Sequence, residues 1–331
     1  MELGSHDGYV EDSAIMKYNT KFQALALYFD TLNVSSKKLP IFSIRTWIWR
    51  NLYAIANYPP EEPLAVRDQL ARIKFSFAKS KKEKKNGHSL FHKPEKNLCK
   101  PKMEDYKHSA YVVSVIHNML RRANESLIAN CNPTEVNSAR KLRGFVGFLG
   151  AYTTFLHHHH HNEDAVYFPV LAKHGINCDN FTQEHKELEP LMEYVEKIAA
   201  ISKNKKQLKA LSPATFDFDT LKKKLQEIAN FLNPHLDLEE TEHTPDVFLA
   251  ANFPVEELHA VHDRLAKEAQ KNGDPTIDLP FMALNVTAEE KKIFLGKAFP
   301  WVVLHVVIPL VTLVHRDYWQ FSFAKNGKKK H

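Results

Sequence analysis

Residues 155–169 read FLHHHHHNEDAVYFP, a run of five histidines followed by an acidic and apolar segment. Within it His159 stands four residues before Glu163, and the same spacing recurs at His235 and Glu239. Residues four apart lie on one face of a helix, so each pair directs an imidazole and a carboxylate at one point. Two such helices facing each other predict a buried metal site between them.

Two further histidines lie on the apolar faces of predicted helices, one ahead of each motif. His117 falls at helical spacing with Val113 and Leu120, and His185 with Leu188. Imidazole is a ligand for iron, zinc and copper, and carboxylates suit harder ions. Four imidazoles and two carboxylates would hold two metal ions inside a four-helix bundle. The candidate ligands are therefore His117, His159, Glu163, His185, His235 and Glu239.

The main alternative is that these residues are ordinary members of an apolar core. A single histidine on an apolar face is usually structural, but charged groups are rarely buried without partners. Glu163 and Glu239 lie on the same faces as the histidines, which makes a purely structural role costly. The histidine run is also unlike an affinity tag, because it lies in mid-chain between apolar residues. A helix turns 100° per residue, so we expect His158 and His160 to face solvent or to support the ligands.

A second alternative is the ferritin-like pattern, which uses Glu-x-x-His on two separate long helices. The chain contains this spacing at Glu240 and His243, and again at Glu256 and His259. The two copies are only sixteen residues apart and are separated by prolines. Their position favours the first interpretation.

Residues 155–169 and 234–240 resemble the hemerythrin-like, or HHE cation-binding, domain, over about residues 108–250. The resemblance implies an all-α fold with an up-down four-helix bundle and a non-haem di-iron centre that meets dioxygen. The six candidate ligands match the family's ligand positions. Two departures stand out: Phe181 occupies the place of a second third-helix histidine in the oxygen carriers, and Glu240 could replace Glu239 as a ligand.

The missing histidine leaves a coordination position open, which favours oxygen activation over simple carriage. We therefore predict an oxygen-dependent oxidase or oxygenase acting on a small organic substrate, with two iron ions as cofactor. Manganese or a mixed pair stays open, since ligand type alone does not set the metal. The alternatives are a non-enzymatic protein that senses, stores or carries oxygen or iron, and a helical interaction protein without metal.

Composition is that of a globular protein, with 44% hydrophobic and 25% charged residues and a formal charge of +6. The basic runs at 81–85 and 328–330 are short, so we expect solvated surface rather than a nucleic-acid partner. The cysteines Cys99, Cys131 and Cys178 are far apart, which predicts an intracellular, cytoplasmic location. The apolar segment 299–314 is shorter than the roughly 20 residues of a transmembrane helix and predicts a buried helix.

The chain divides into predicted segments by composition and proline position. These are a disordered tail (1–15), an N-terminal helical extension (16–78), a basic linker (79–102), the bundle (103–250), a C-terminal helical appendage packed on the bundle (251–323) and a basic tail (324–331). The predicted bundle helices run over about 104–129, from 132–134 to 175, 180–202 and 217–241. In the appendage we predict helices near 256–271, 287–297 and 301–321, with a loop through Pro280.

Overall fold

The computed structural model describes residues 103–326, apart from the side chains of Asp105 and Gln270. This part of the chain is helical and contains no strand, which confirms the all-α prediction for it. The predicted N-terminal tail, extension and linker, together with residues 327–331, lie outside the described residues.

Four long helices contain every candidate ligand except Glu163. The first six helices are α1 (Met103–Asn130), α2 (Ala139–Asn162), α3 (Phe168–Lys173), α4 (Asp179–Ala200), α5 (Lys205–Ala210) and α6 (Phe218–Glu242). Helix α1 packs against α2 and α6, and α4 packs against the same two helices. The contacts therefore connect the four long helices in a ring, and apolar side chains from all four fill the space between them.

Helix α2 begins later than predicted. Residues 131–138 form turns, in which the Asn132 side chain accepts a hydrogen bond from the Glu135 backbone N–H. Ser138 then adopts an extended backbone, and its side chain accepts a hydrogen bond from the Lys141 N–H. Serine is a favoured helix cap and proline suits turns. The Asn-Pro-Thr sequence at 132–134 therefore belongs to the turn before α2 and not, as predicted, to the helix itself. The predicted stop is close: Gly175, at φ +77°, follows the end of α3.

A π-helical turn, Glu163–Tyr167, joins α2 to α3 without a break in the helix. The cause is Pro169, which has no N–H and whose ring would clash with the carbonyl of Ala165 in a regular α-helix. Widening the preceding turn relieves that clash. The second motif differs, because α6 ends at Glu242 before its proline, Pro245, is reached.

The C-terminal segments are shorter and more broken than predicted. They are α7 (Pro245–Ala250), α8 (Val255–Asn272), α9 (Pro275–Leu284), α10 (Ala288–Glu290), α11 (Gly296–Ala298), α12 (Ile308–Thr312), α13 (Arg316–Trp319) and α14 (Phe323–Asn326), with π-helical turns at Lys291–Leu295 and Val303–Val307. The predicted loop through Pro280 is wrong, since Pro280 lies inside α9, which begins at Pro275 with the Asp274 side chain accepting a hydrogen bond from the Thr276 N–H. The single helix over 301–321 is also wrong. Pro309 again follows a π-helical turn, and the chain turns again before α13.

These C-terminal helices pack on the long ones. Helix α13 lies against α2 so closely that a Cβ on Gly147 would come within 2.0 Å of the Tyr318 ring. Arg122 of α1 donates two hydrogen bonds to Glu290, at 2.5 and 2.9 Å. Helix α8 contacts the π-helical turn at Glu163–Tyr167. None of the helices in residues 103–326 combines the length and apolar character needed to cross a bilayer.

Candidate metal centre

Seven side chains from α1, α2, the π-helical turn, α4 and α6 converge between the long helices. They form two groups, within each of which the potential ligand atoms lie within 4.8 Å of one another. One group, the three-histidine group, consists of His160, His185 and His235. The other, the carboxylate group, consists of His117, His159, Glu163 and Glu239. All six residues expected from the sequence are brought together here, with His160 as a seventh.

Both carboxylates reach histidines of the two groups. The Glu163 Oε2 atom lies 3.4 Å from His159 Nε2 and 3.8 Å from His185 Nε2. The Glu239 Oε2 atom lies 3.3 Å from His117 Nε2 and 3.7 Å from His235 Nε2. Each glutamate thus stands between the groups, the position from which a carboxylate can bridge two ions.

Three of the histidines bond to a carboxylate through the ring nitrogen that faces away from the centre. His117 Nδ1 lies 3.1 Å from Glu240 Oε1, and His185 Nδ1 lies 3.1 Å from Asp164 Oδ2. His235 Nδ1 lies 2.6 Å from an oxygen of Glu184. A carboxylate only accepts a hydrogen bond, so Nδ1 is the ring nitrogen placed to donate in each contact, and Nε2 is the nitrogen that faces the centre.

The donor set fits bound cations. Six buried atoms of these side chains have no hydrogen-bond partner within residues 103–326: His117 Nε2, His159 Nε2, His160 Nε2, Glu163 Oε2, Glu239 Oε1 and Glu239 Oε2. His185 Nε2 and His235 Nε2 face each other at 3.2 Å. Two nitrogens bound at about 2.0–2.1 Å to one ion lie about 3 Å apart, so this spacing suits a shared ion. Buried polar atoms are normally paired, and a cation would satisfy all of them.

Burial determines the protonation preferences of the centre. It lowers the pKa of His159 and His160 well below 6.5, and the neighbouring histidines add to the effect. Burial, followed by the charge of Glu239, raises the pKa of Glu163 well above 4.5. Burial also raises the pKa of Glu239, with Glu184 contributing next. Neutral imidazoles are ready to bind metal, whereas the two carboxylates are costly to ionise without a nearby cation.

His160 is where the sequence expectation fails. It is buried, with 9% of its surface exposed, and its ring stacks on His185 at a centroid distance of 4.0 Å. The i, i+4 spacing to Glu163 singles out His159, and the 100° turn between consecutive helical residues predicts a different direction for His160. A helix turns 100° per residue, however, so two adjacent residues can both face a wide cleft. The five-histidine run was itself the signal that a second histidine of α2 could face the centre.

The remaining histidines of the run face outward. His157 and His161 are exposed and His158 is half-buried, and the His157 ring contacts Glu196 at 2.6 Å. Phe181, in place of the expected carrier histidine, is buried and packs edge-on against His235.

Glu240 does not take the place of Glu239 in the centre. Its carboxylate bonds to the outer nitrogen of His117 and accepts a hydrogen bond from Arg121 at 2.6 Å. Burial alone would raise the pKa of Glu240, but the hydrogen bonds from His117 and Arg121 lower it to about 2. The ferritin-like alternative finds no counterpart in residues 103–326, because neither metal-binding group includes His243 or His259.

Comparison with known families assigns the segment that forms this centre. Residues 109–247 match the family model of the hemerythrin HHE cation binding domain. This segment is therefore similar to a hemerythrin HHE domain. The match confirms the resemblance seen in the sequence, and all seven residues of the centre lie inside this HHE-like segment. It spans under half of the chain, so helices α8–α14 lie beyond it. Searches of curated proteins and of solved structures gave no match.

Proposed function

We propose that the HHE-like segment, residues 109–247, is a hemerythrin HHE domain folded as an up-down four-helix bundle that holds two iron ions and binds dioxygen at them. The ring of contacts among α1, α2, α4 and α6 supports the bundle. The family match supports cation binding, and we propose iron as the metal and two as the number of ions.

The observation that carries the proposal is the position of Glu163 and Glu239 between the two groups. If both carboxylates bridge, the three-histidine group supplies three imidazoles to one ion, while His117 and His159 supply two to the other. The second ion then has fewer protein ligands and more room for dioxygen. Histidine and carboxylate ligands with open positions are typical of non-haem iron sites that react with oxygen.

His160 removes the reason for favouring catalysis over oxygen carriage. The sequence favours oxidation of a small organic substrate because its motifs supply only four histidines. With His160 the centre offers five, so no ligand position needs to be left open for that reason. Oxidase or oxygenase activity and non-enzymatic oxygen binding therefore remain competing uses of the same proposed centre.

The test is anaerobic loading of the full chain with ferrous iron, followed by exposure to oxygen. We expect two irons per chain and a new visible absorption band on exposure. Reversal of the band when oxygen is removed indicates carriage, and its decay with consumption of an added organic substrate indicates oxidation. Protein loaded with zinc is the control, because zinc has no accessible redox change. A two-iron protein whose spectrum does not respond to oxygen would overturn the oxygen-binding part.

A further inference from the structure

Three acidic side chains surround the centre without belonging to it. Asp164, Glu184 and Glu240 bond to the outer nitrogens of His185, His235 and His117, respectively. We propose that these three carboxylates are positioning residues. They determine which ring nitrogen of His117, His185 and His235 carries the proton, and they thereby set the affinity for the ions. The inference rests on the proposed function for its metal part, and on the hydrogen bonds alone for its protonation part.

The chemistry follows from where a neutral imidazole carries its proton. A proton held on Nδ1 by an acceptor is absent from Nε2, so the inner nitrogen is permanently available to a metal. The negative charge on the acceptor also makes the ring a stronger donor to the ion. Without the acceptor, the ring can rotate or carry its proton on Nε2, and metal binding must first reverse that change.

The exposure of the acids suits this role. The side chains of Asp164, Glu184 and Glu240 are 34%, 32% and 27% exposed, whereas the histidines they contact are at most 5% exposed. A carboxylate at the boundary between protein and water stays solvated on one side while its other oxygen reaches inward. Charge is therefore supplied to a buried site without full burial of the acid, which would be costly.

The positions of two of the acids are themselves fixed. The Thr182 hydroxyl donates to Asp164 Oδ1 at 2.9 Å, leaving Oδ2 directed at His185. Arg121 donates to Glu240 at 2.6 Å and to Asp237 at 2.6 Å, which clamps the carboxylate beside His117. Side chains held by neighbours of their own keep the orientation of the group they contact.

The two α2 histidines provide an internal contrast. Among the contacts of residues 103–326, His159 and His160 make no hydrogen bond to a carboxylate through an outer nitrogen. The three-histidine group also contains no carboxylate, and it receives two of the three outer acids, through His185 and His235. The outer carboxylates thus supply negative charge where the inner ligands are neutral.

The first experiment requires no metal and no variant. Nitrogen-15 NMR of the histidine rings in the metal-free full chain reports which nitrogen carries the proton. We expect a proton on Nδ1 of His117, His185 and His235. Neutral rings at these positions with the proton on Nε2 would overturn the inference, whatever the fate of the iron proposal.

The second experiment measures affinity with cobaltous ion as the probe. Asp164→Asn, Glu184→Gln and Glu240→Gln should each weaken binding about 10–100-fold, the range typical of lost outer partners of metal-binding histidines. Glu189→Gln, at an exposed position of the same helix as Glu184, is the matched control and should bind as wild type does. Equal affinity in wild type and all three variants would overturn the inference. Wild-type protein that binds no cobalt or iron would instead overturn the proposed function.

Discussion

His185 Nε2 lies 3.2 Å from His235 Nε2, while the opposite nitrogen of each ring is bonded to a carboxylate. Two neutral rings in this state direct lone pairs at each other. Such an approach is unfavourable unless positive charge lies between the nitrogens, either as a proton or as a metal ion. The pair therefore suits a cation, and it connects α4 to α6, the helices that carry these two candidate ligands.

Removing one ligand from each group should abolish metal binding. His159→Ala combined with His235→Ala leaves neither group complete, so we expect the metal content after loading to fall close to zero. Circular dichroism should still show a helical protein. The thermal midpoint of the wild type should rise on metal loading and that of the variant should not, because a ligand bound only by the folded state stabilises it.

The control for this variant comes from the same histidine run. His158→Ala with His161→Ala removes two histidines that lie on the outer side of α2. It should keep the wild-type metal content. Equal metal loss in both double variants would mean that the run acts collectively and not through its inner face.

His160 is expected to be a ligand of the three-histidine group. His160→Phe keeps an aromatic ring stacked near His185 but removes the metal-binding nitrogens. We expect a cobalt titration to show one tight equivalent in place of two. His161→Phe, at an exposed neighbour, should leave the titration unchanged. Two unaltered equivalents in His160→Phe would restrict the centre to the six residues expected from the sequence.

Glu239→Gln should bind less metal than the wild type, and its metal-free form should be more stable than that of the wild type. Because burial, and then Glu184, raises the pKa of Glu239 above its value of 4.5, the wild-type metal-free protein loses stability as pH rises from 4.5 through the raised pKa. Glutamine removes that loss, so urea unfolding at pH 7 should show a higher free energy of unfolding than for the wild-type metal-free protein. Metal content should fall. Glu242→Gln, at the exposed end of α6, is the control and should change neither quantity.

Asp278 gives a pH dependence that is independent of the metal centre. Burial, with a smaller contribution from Asp274, raises the pKa of Asp278 from 3.8 to about 7. The folded state thus holds a proton that the unfolded state has lost, and stability declines between about pH 4 and pH 7. Asp278→Asn should be about 4 kcal/mol more stable than wild type at pH 8 and equal to it at pH 3.5. The exposed Asp263→Asn should show neither difference, and a pH-independent gain in Asp278→Asn would point to a cause other than ionisation.

Gly147→Ala tests the packing of α13 on α2. The added Cβ would lie 2.0 Å from the Tyr318 ring, so the ring or the helix must move, at a cost of about 1–3 kcal/mol. Gly296→Ala is the matched control, since its nearest neighbour lies 3.9 Å away. That helical site should gain up to about 1 kcal/mol from the higher helix propensity of alanine. Similar thermal midpoints for the two variants would contradict the close contact.

Periodicity in the sequence placed the four long helices, apart from the start of α2, and identified six candidate ligands that the fold brings to one centre. It succeeds there because i, i+4 spacing on an amphipathic helix fixes the direction of side chains. The prediction of a loop at Pro280 failed because a proline near the start of a helix can be accommodated, and Pro280 is the sixth residue of α9. Periodicity also failed at His160, because the width of the cleft that α2 faces depends on how the helices pack. The outer acids Asp164, Glu184 and Glu240 were hidden for the same reason, since each contacts a histidine on another helix.

The most direct test of the dinuclear centre is the metal content of the full chain after anaerobic loading with ferrous iron and removal of unbound metal. Elemental analysis, normalised to protein by amino-acid analysis, should give about two irons per chain. A parallel loading with manganous ion establishes whether the centre prefers iron. A value of two in the wild type and near zero in His159→Ala/His235→Ala is the predicted result. A value of zero or one in the wild type with both metals would contradict the dinuclear centre.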